Sequence, residues 1–211
     1  MRKLFFTLLS LTSLLPVMAQ TGAEKLLQKT VSKLEKDGSI CIIIEAETRN
    51  EDNVDLIDLE VKLSPDGSFC AKEDGSTMWF DGKTMWRGND FGDGIEEIYI
   101  TEPTPEEKAR YDIIGLLRKH QGFSVSGNGT DTFILNASNT ERSVEGIRSV
   151  TVTVDPKTNI IRSAGIIFSQ ELGGISVTAK VKSYLPEQNY DKATFICPIK
   201  DYKDADIIDL R

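Results

Sequence analysis

One histidine, three cysteines and 33 Asp and Glu residues are the groups with which this chain could do chemistry. An imidazole base needs a nucleophile to serve, and no Gly-x-Ser-x-Gly elbow accompanies His120. Its place after Arg118-Lys119 and before Gly122 suits the basic end of a helix instead. Cys41, Cys70 and Cys197 lie in or beside apolar stretches. Three thiols either pack as small hydrophobes or form one disulfide with a thiol left over. With one histidine and no Cys-x-x-Cys, no metal site is expected. Neither a Gly-x-x-x-x-Gly-Lys-Ser/Thr loop nor a dinucleotide fingerprint occurs, so no cofactor is expected. The carboxylates are scattered through turns and polar strand faces. A facing pair for glycoside hydrolysis is the one enzymatic alternative they leave. Asn128-Gly129-Thr130 and Asn136-Ala137-Ser138 match the glycosylation triplet, but both fall where turns call for such residues.

The first residues have the layout of an export signal. Arg2 and Lys3 precede a short apolar run from Leu4 to Leu15, and Val17-Met18-Ala19 sets small residues before a cut at Gln20. That run is too short to span a hydrocarbon core. The expected division is a signal peptide over 1–19 and one domain over 20–211, with no cysteine at the cut to carry a lipid. About 190 residues are enough for a real core. The formal charge is −8, and −10 without Arg2 and Lys3. Lys and Arg read as dispersed, with no basic stripe, so nucleic acid is not an expected partner.

The elements that would position any site begin with a helix. Ala23, Leu26, Leu27, Thr30, Val31 and Leu34 recur at helical spacing until Asp37-Gly38 stops them. Strands follow at Ile40 to Thr48, Leu56 to Leu63 and Ser68 to Lys72, the second alternating cleanly between apolar and charged residues. Met78-Trp79-Phe80 and Lys83-Thr84-Met85-Trp86 read as a hairpin closed by Asp81-Gly82 in a type I′ turn. Gly88 to Gly94 is expected as a loop and Ile95 to Thr101 as a strand. A helix over 104–120 is predicted from Thr104, Pro105 and Glu106-Glu107 at its start. Five further strands run from Phe123 to Tyr184 between turn residues. Short connections and period-two patterning give a mainly β, α+β fold. The expected architecture is an incomplete antiparallel barrel with both helices over its concave face.

The ordered set resembles the periplasmic outer-membrane lipoprotein carrier family, LolA. Phe80-Asp81-Gly82-Lys83-Thr84-Met85-Trp86 is similar to that family's hairpin. The apolar helix Ile113 to Leu117, the strand Phe133-Ile134-Leu135, the Val150 to Arg162 hairpin, Phe195…Pro198 and the tail Ala205 to Arg211 follow in the family's order. The resemblance implies a periplasmic chaperone that is no enzyme and works as a monomer. It would accept acylated lipoproteins from an inner-membrane ATP-driven release transporter, shelter their acyl chains, and hand them on, with an outer-membrane acceptor a further partner. A sensory module of the same fold, binding lipid or an envelope protein, is the alternative. The residues expected to touch acyl chains are Ile113, Ile114, Leu116 and Leu117 on the helix and Trp79, Met85, Trp86 and Phe91 around the hairpin. Ordinary core packing accounts for the same stripe. The family's lid-latching arginine is not available at its usual position, since Leu63 follows Val61-Lys62; Arg49, Arg87 and Arg118 are the substitutes, and the sequence selects none of them.

Overall fold

Leu27, Thr30, Val31 and Leu34 form one buried stripe of helix α1 (Gly22–Asp37). Its start is fixed by a capping box: Thr21 Oγ1 accepts from Glu24 N at 3.2 Å, and the Glu24 carboxylate accepts from Thr21 N at 2.7 Å. Gly38, at φ 65°, ends it. The opposite face carries Lys25, Lys29, Lys33 and Lys36. Here the expectation of dispersed basic residues fails, because a spacing of three and four residues gathers them on one side of the helix.

The computed structural model describes residues 21–50, 53–92, 94–104, 108, 113–120, 122–137, 146–170 and 173–211. The expected signal peptide, most of the first half of the 104–120 helix and the Ser138 of the second glycosylation triplet lie outside them. Of Ile113 and Ile114 only the backbone is described.

Among the described residues twelve strands make one sheet. They are β1 (Ser39–Asn50), β2 (Asn53–Leu63), β3 (Phe69–Glu73), β4 (Ser76–Phe80), β5 (Met85–Asp90) and β6 (Ile95–Thr101), then β7 (Phe123–Gly127), β8 (Thr132–Ala137), β9 (Ile147–Val154), β10 (Ile161–Phe168), β11 (Ser176–Gln188) and β12 (Asp206–Asp209). Helix α2 (Ile113–Lys119) lies between β6 and β7. The order β12-β6-β5-β4-β3-β2-β1-β11-β10-β9-β8-β7 reveals two antiparallel meanders zipped together where β1 pairs with β11. The sheet stays open, with β12 and β7 at its edges. This is the incomplete, mainly antiparallel barrel expected from the sequence.

Two local expectations need correction. Phe80 pairs with Met85, so the hairpin loop is Asp81 to Thr84 rather than Asp81-Gly82. Only Gly82 of the pair has positive φ, and Asp81 Oδ1 holds the loop by accepting from Lys83 N at 2.9 Å and Thr84 N at 2.7 Å. Gly88 belongs to β5, not to a loop, and there is a steric reason for it. A Cβ at that position would lie 2.8 Å from Ile95 Cδ1 and 3.3 Å from Trp79 Cζ3. The tail residues Asp206–Asp209 are a strand, paired in parallel with β6.

Candidate functional site

Paired residues share a face of a sheet, and so do residues two apart along a strand. Ile40 is buried with Leu27 and Val31 of α1, which defines an inner, helix-covered face. On β1 that face continues through Ile42, Ile44 and Ala46; their partners Val61, Leu59 and Ile57 continue it on β2. On the other side of β1, Tyr184, Val181 and Ala179 of β11 pair with the same residues, and Ala179 pairs onward with Ala164 of β10. The outer face of the same strands carries Asp58, Glu60, Lys180 and Lys182, all exposed.

The inner face is not uniformly covered. Toward β7–β9 it is sealed by α1 and α2, where Leu117, Phe133, Leu135, Val150, Val152 and Val154 are buried with Leu27 and Leu34. Toward β3–β5 it holds a second buried group, Phe69, Phe80 and Met85. Between them Ile44, Ile57, Leu59, Val61, Ala164, Val177, Ala179 and Val181 form a continuous apolar strip, half-buried throughout and outside both groups. Among the described residues, a half-buried apolar strip of this kind is a surface suited to an apolar ligand.

The residues singled out from sequence are divided by the fold. Leu117 is 1% exposed within the α1 core, and Leu116 packs against it. Met85 is inner but belongs to the Phe69–Phe80 group. Trp79 and Trp86 pair with each other on the outer face. They are buried there with Ile98, Ile100 and Cys197, beneath a C-terminal segment that adds Ile199, Tyr202 and Ala205. The rings of Trp79 and Tyr202 are 6.2 Å apart. Phe91 is 67% exposed in the loop after β5. The six candidates whose side chains are described therefore do not line one common surface. The strip residues were missed although Leu56 to Leu63 and Ile175 to Val181 alternate plainly, because alternation marks a face without saying which way it turns.

Electrostatics tie α1 over this face. Asp37, 3% exposed at the C-terminal end of α1, accepts from Tyr184 Oη of β11 at 2.6 Å and pairs with Lys33. Burial, then the Asp37 carboxylate, pushes the Tyr184 phenol well above its ordinary range. Glu35 of α1 pairs with Arg118 of α2 at 2.9 Å. His120 sits at the end of α2 with φ 30°, its Nδ1 3.3 Å from Leu117 O, as a helix-terminal group. The three cysteines are free thiols. Burial raises the Cys70 thiol and, with Cys70 beside it, pushes Cys197 up to about 12. Among the described residues no group of three His, Cys, Asp or Glu could hold a metal ion. No described helix is long and apolar enough to cross a membrane.

No family model matches the sequence, and no curated protein does. In fold the chain is similar to an uncharacterized conserved protein from Thermus thermophilus. That similarity covers 86% of this chain and 98% of the other, at TM-score 0.52 and 11% identity. A LolA superfamily protein from Nitrosomonas europaea is similar over 87% of this chain and 100% of its own at TM-score 0.45 and 12% identity. The Mycobacterium tuberculosis lipoprotein LppX is similar over 79% and 98% at TM-score 0.39 and 12% identity.

Proposed function

We propose that this chain is an exported, non-enzymatic carrier that takes up the acyl chains of lipoproteins along the inner strip and moves them through the periplasm. The single observation behind the reading is the half-buried apolar run from Leu59 through Ile44 to Val181, continuous across three strands. An acyl chain in water costs about 0.8 kcal/mol per CH₂, so two or three chains amount to about 20 kcal/mol or more. Such cargo does not leave a membrane unaided. A carrier needs a dry face and a movable cover, and energy for release comes from a partner, here the ATP-driven transporter that the family resemblance implies. Helix α1 seals the neighbouring part of the inner face, held by the Tyr184–Asp37 hydrogen bond, and is the element beside the strip that would move to cover it.

The mature chain, purified gently from the periplasm, should retain lipid in native mass spectrometry and take up a fluorescent acyl probe. Leu59→Asp and Val181→Asp should each weaken probe uptake at least about tenfold, since a charge on the strip must be desolvated by the chain. A wild-type protein that retains no lipid and ignores the probe would refute the reading.

A further inference from the structure

The solvent face of α1 carries a groove that the acyl-binding reading does not use. It has a volume of about 470 Å³ and lies between the helix and Asn159 of the β9–β10 turn. Four of the residues lining it are Lys25, Lys29, Lys33 and Lys36. Their charge is only partly cancelled by the acids of the same helix, since Asp37 meets Lys33 while Glu24 and Glu35 are held elsewhere. Glu24 closes the capping box with Thr21, Glu35 reaches Arg118, and Asp37 binds Tyr184 as well as Lys33. Among the described residues Lys33 alone of the four stands in an ion pair. A row of ammonium groups about 16 Å long therefore crosses a molecule whose formal charge is −8.

We propose that this lysine row is a docking site for the phosphate headgroups of an anionic bilayer, and that it sets which side of the molecule meets the membrane. The chemistry of the groove favours lipid over an acidic protein segment. Apart from the lysines it offers only Gln28, Ser32 and Asn159, with no aromatic or aliphatic side chain. A protein partner would find no apolar anchor there, and interfaces draw their affinity from such anchors. Headgroup phosphates require only flexible cationic donors in a row, whose effect adds up lysine by lysine near an anionic surface. Because the rest of the chain is acidic, contact is expected to be weak, oriented and sensitive to salt. This inference does not depend on the acyl-binding reading.

The test is flotation of the mature chain with vesicles of equal parts phosphatidylglycerol and phosphatidylcholine, and with phosphatidylcholine alone. Wild type should bind the anionic vesicles only, and release at about 0.5 M salt. Lys25→Gln/Lys29→Gln/Lys36→Gln should weaken binding about a hundredfold, at about fivefold per lysine. It spares Lys33, whose loss would strand buried Asp37. Lys72→Gln/Lys200→Gln/Lys203→Gln, which removes the same charge elsewhere, should bind like wild type. Equal loss in the two triple variants would overturn the proposal, as would binding to neither vesicle. Competition by inorganic phosphate beyond its ionic strength, or capture of an acidic peptide without vesicle binding, would also overturn it.

Discussion

The phenol of Tyr184 donates to the carboxylate of Asp37 at 2.6 Å, joining residues 147 positions apart and pinning the end of α1 to β11. Asp37 is an acid at the negative end of a helix, an unfavourable place unless its charge is met. Lys33 and Tyr184 meet it. Tyr184→Phe should lower stability by about 1–3 kcal/mol, the cost of leaving a buried acceptor short of a donor. Urea unfolding measures it, and an unchanged midpoint would mean the bond does not hold the helix.

The same bond makes stability depend on alkaline pH. Folding raises the Tyr184 pKa, so its contribution is fully present below the unfolded value of about 10 and is lost as pH rises through the folded value. Above about pH 10 the wild type should lose stability faster than Tyr184→Phe, and the two unfolding midpoints should converge. Parallel curves would contradict this assignment.

Burial raises both Cys70 and Cys197, leaving little thiolate near neutrality. In the native protein at about pH 8 both should react with iodoacetamide at least about a hundredfold more slowly than in urea. Peptide mass spectrometry would read each rate, and fast native labelling of Cys197 would show that the C-terminal segment does not cover it.

Trp86 and Leu59 should separate stability from binding. Trp86→Ala empties the core beneath the C-terminal segment and should cost about 3–5 kcal/mol while leaving acyl-probe affinity in the folded fraction unchanged. Leu59→Asp, at a half-buried position, should do the reverse. Loss of affinity in Trp86→Ala at full folding would return the tryptophans to the binding surface.

The strands and α1 were legible because their apolar residues repeat at two, or at three and four. Asp81-Gly82 marked a hairpin correctly but not its loop, since the Asp81 carboxylate bonding to Lys83 N and Thr84 N replaces the expected backbone turn. The site was less legible. Trp79 and Trp86 looked like cavity residues because they are aromatic, yet their face is decided by a segment more than a hundred residues later, around Cys197 and Tyr202. Which side of Leu59 turns inward depends on the register of β1 with both β2 and β11, a long-range fact. The lysine row, by contrast, stood in the sequence as Lys25, Lys29, Lys33 and Lys36, and only its spacing had to be noticed.

Neighbouring strand positions that face opposite ways give the sharpest test. A photo-reactive benzoylphenylalanine at Leu59 or Val181 should crosslink to the acyl chains of a lipoprotein bound to the mature chain, whereas one at Asp58 or Lys180 should not. Equal crosslinking from both faces, or crosslinking from Asp58 and Lys180 alone, would contradict acyl binding on the helix-covered face.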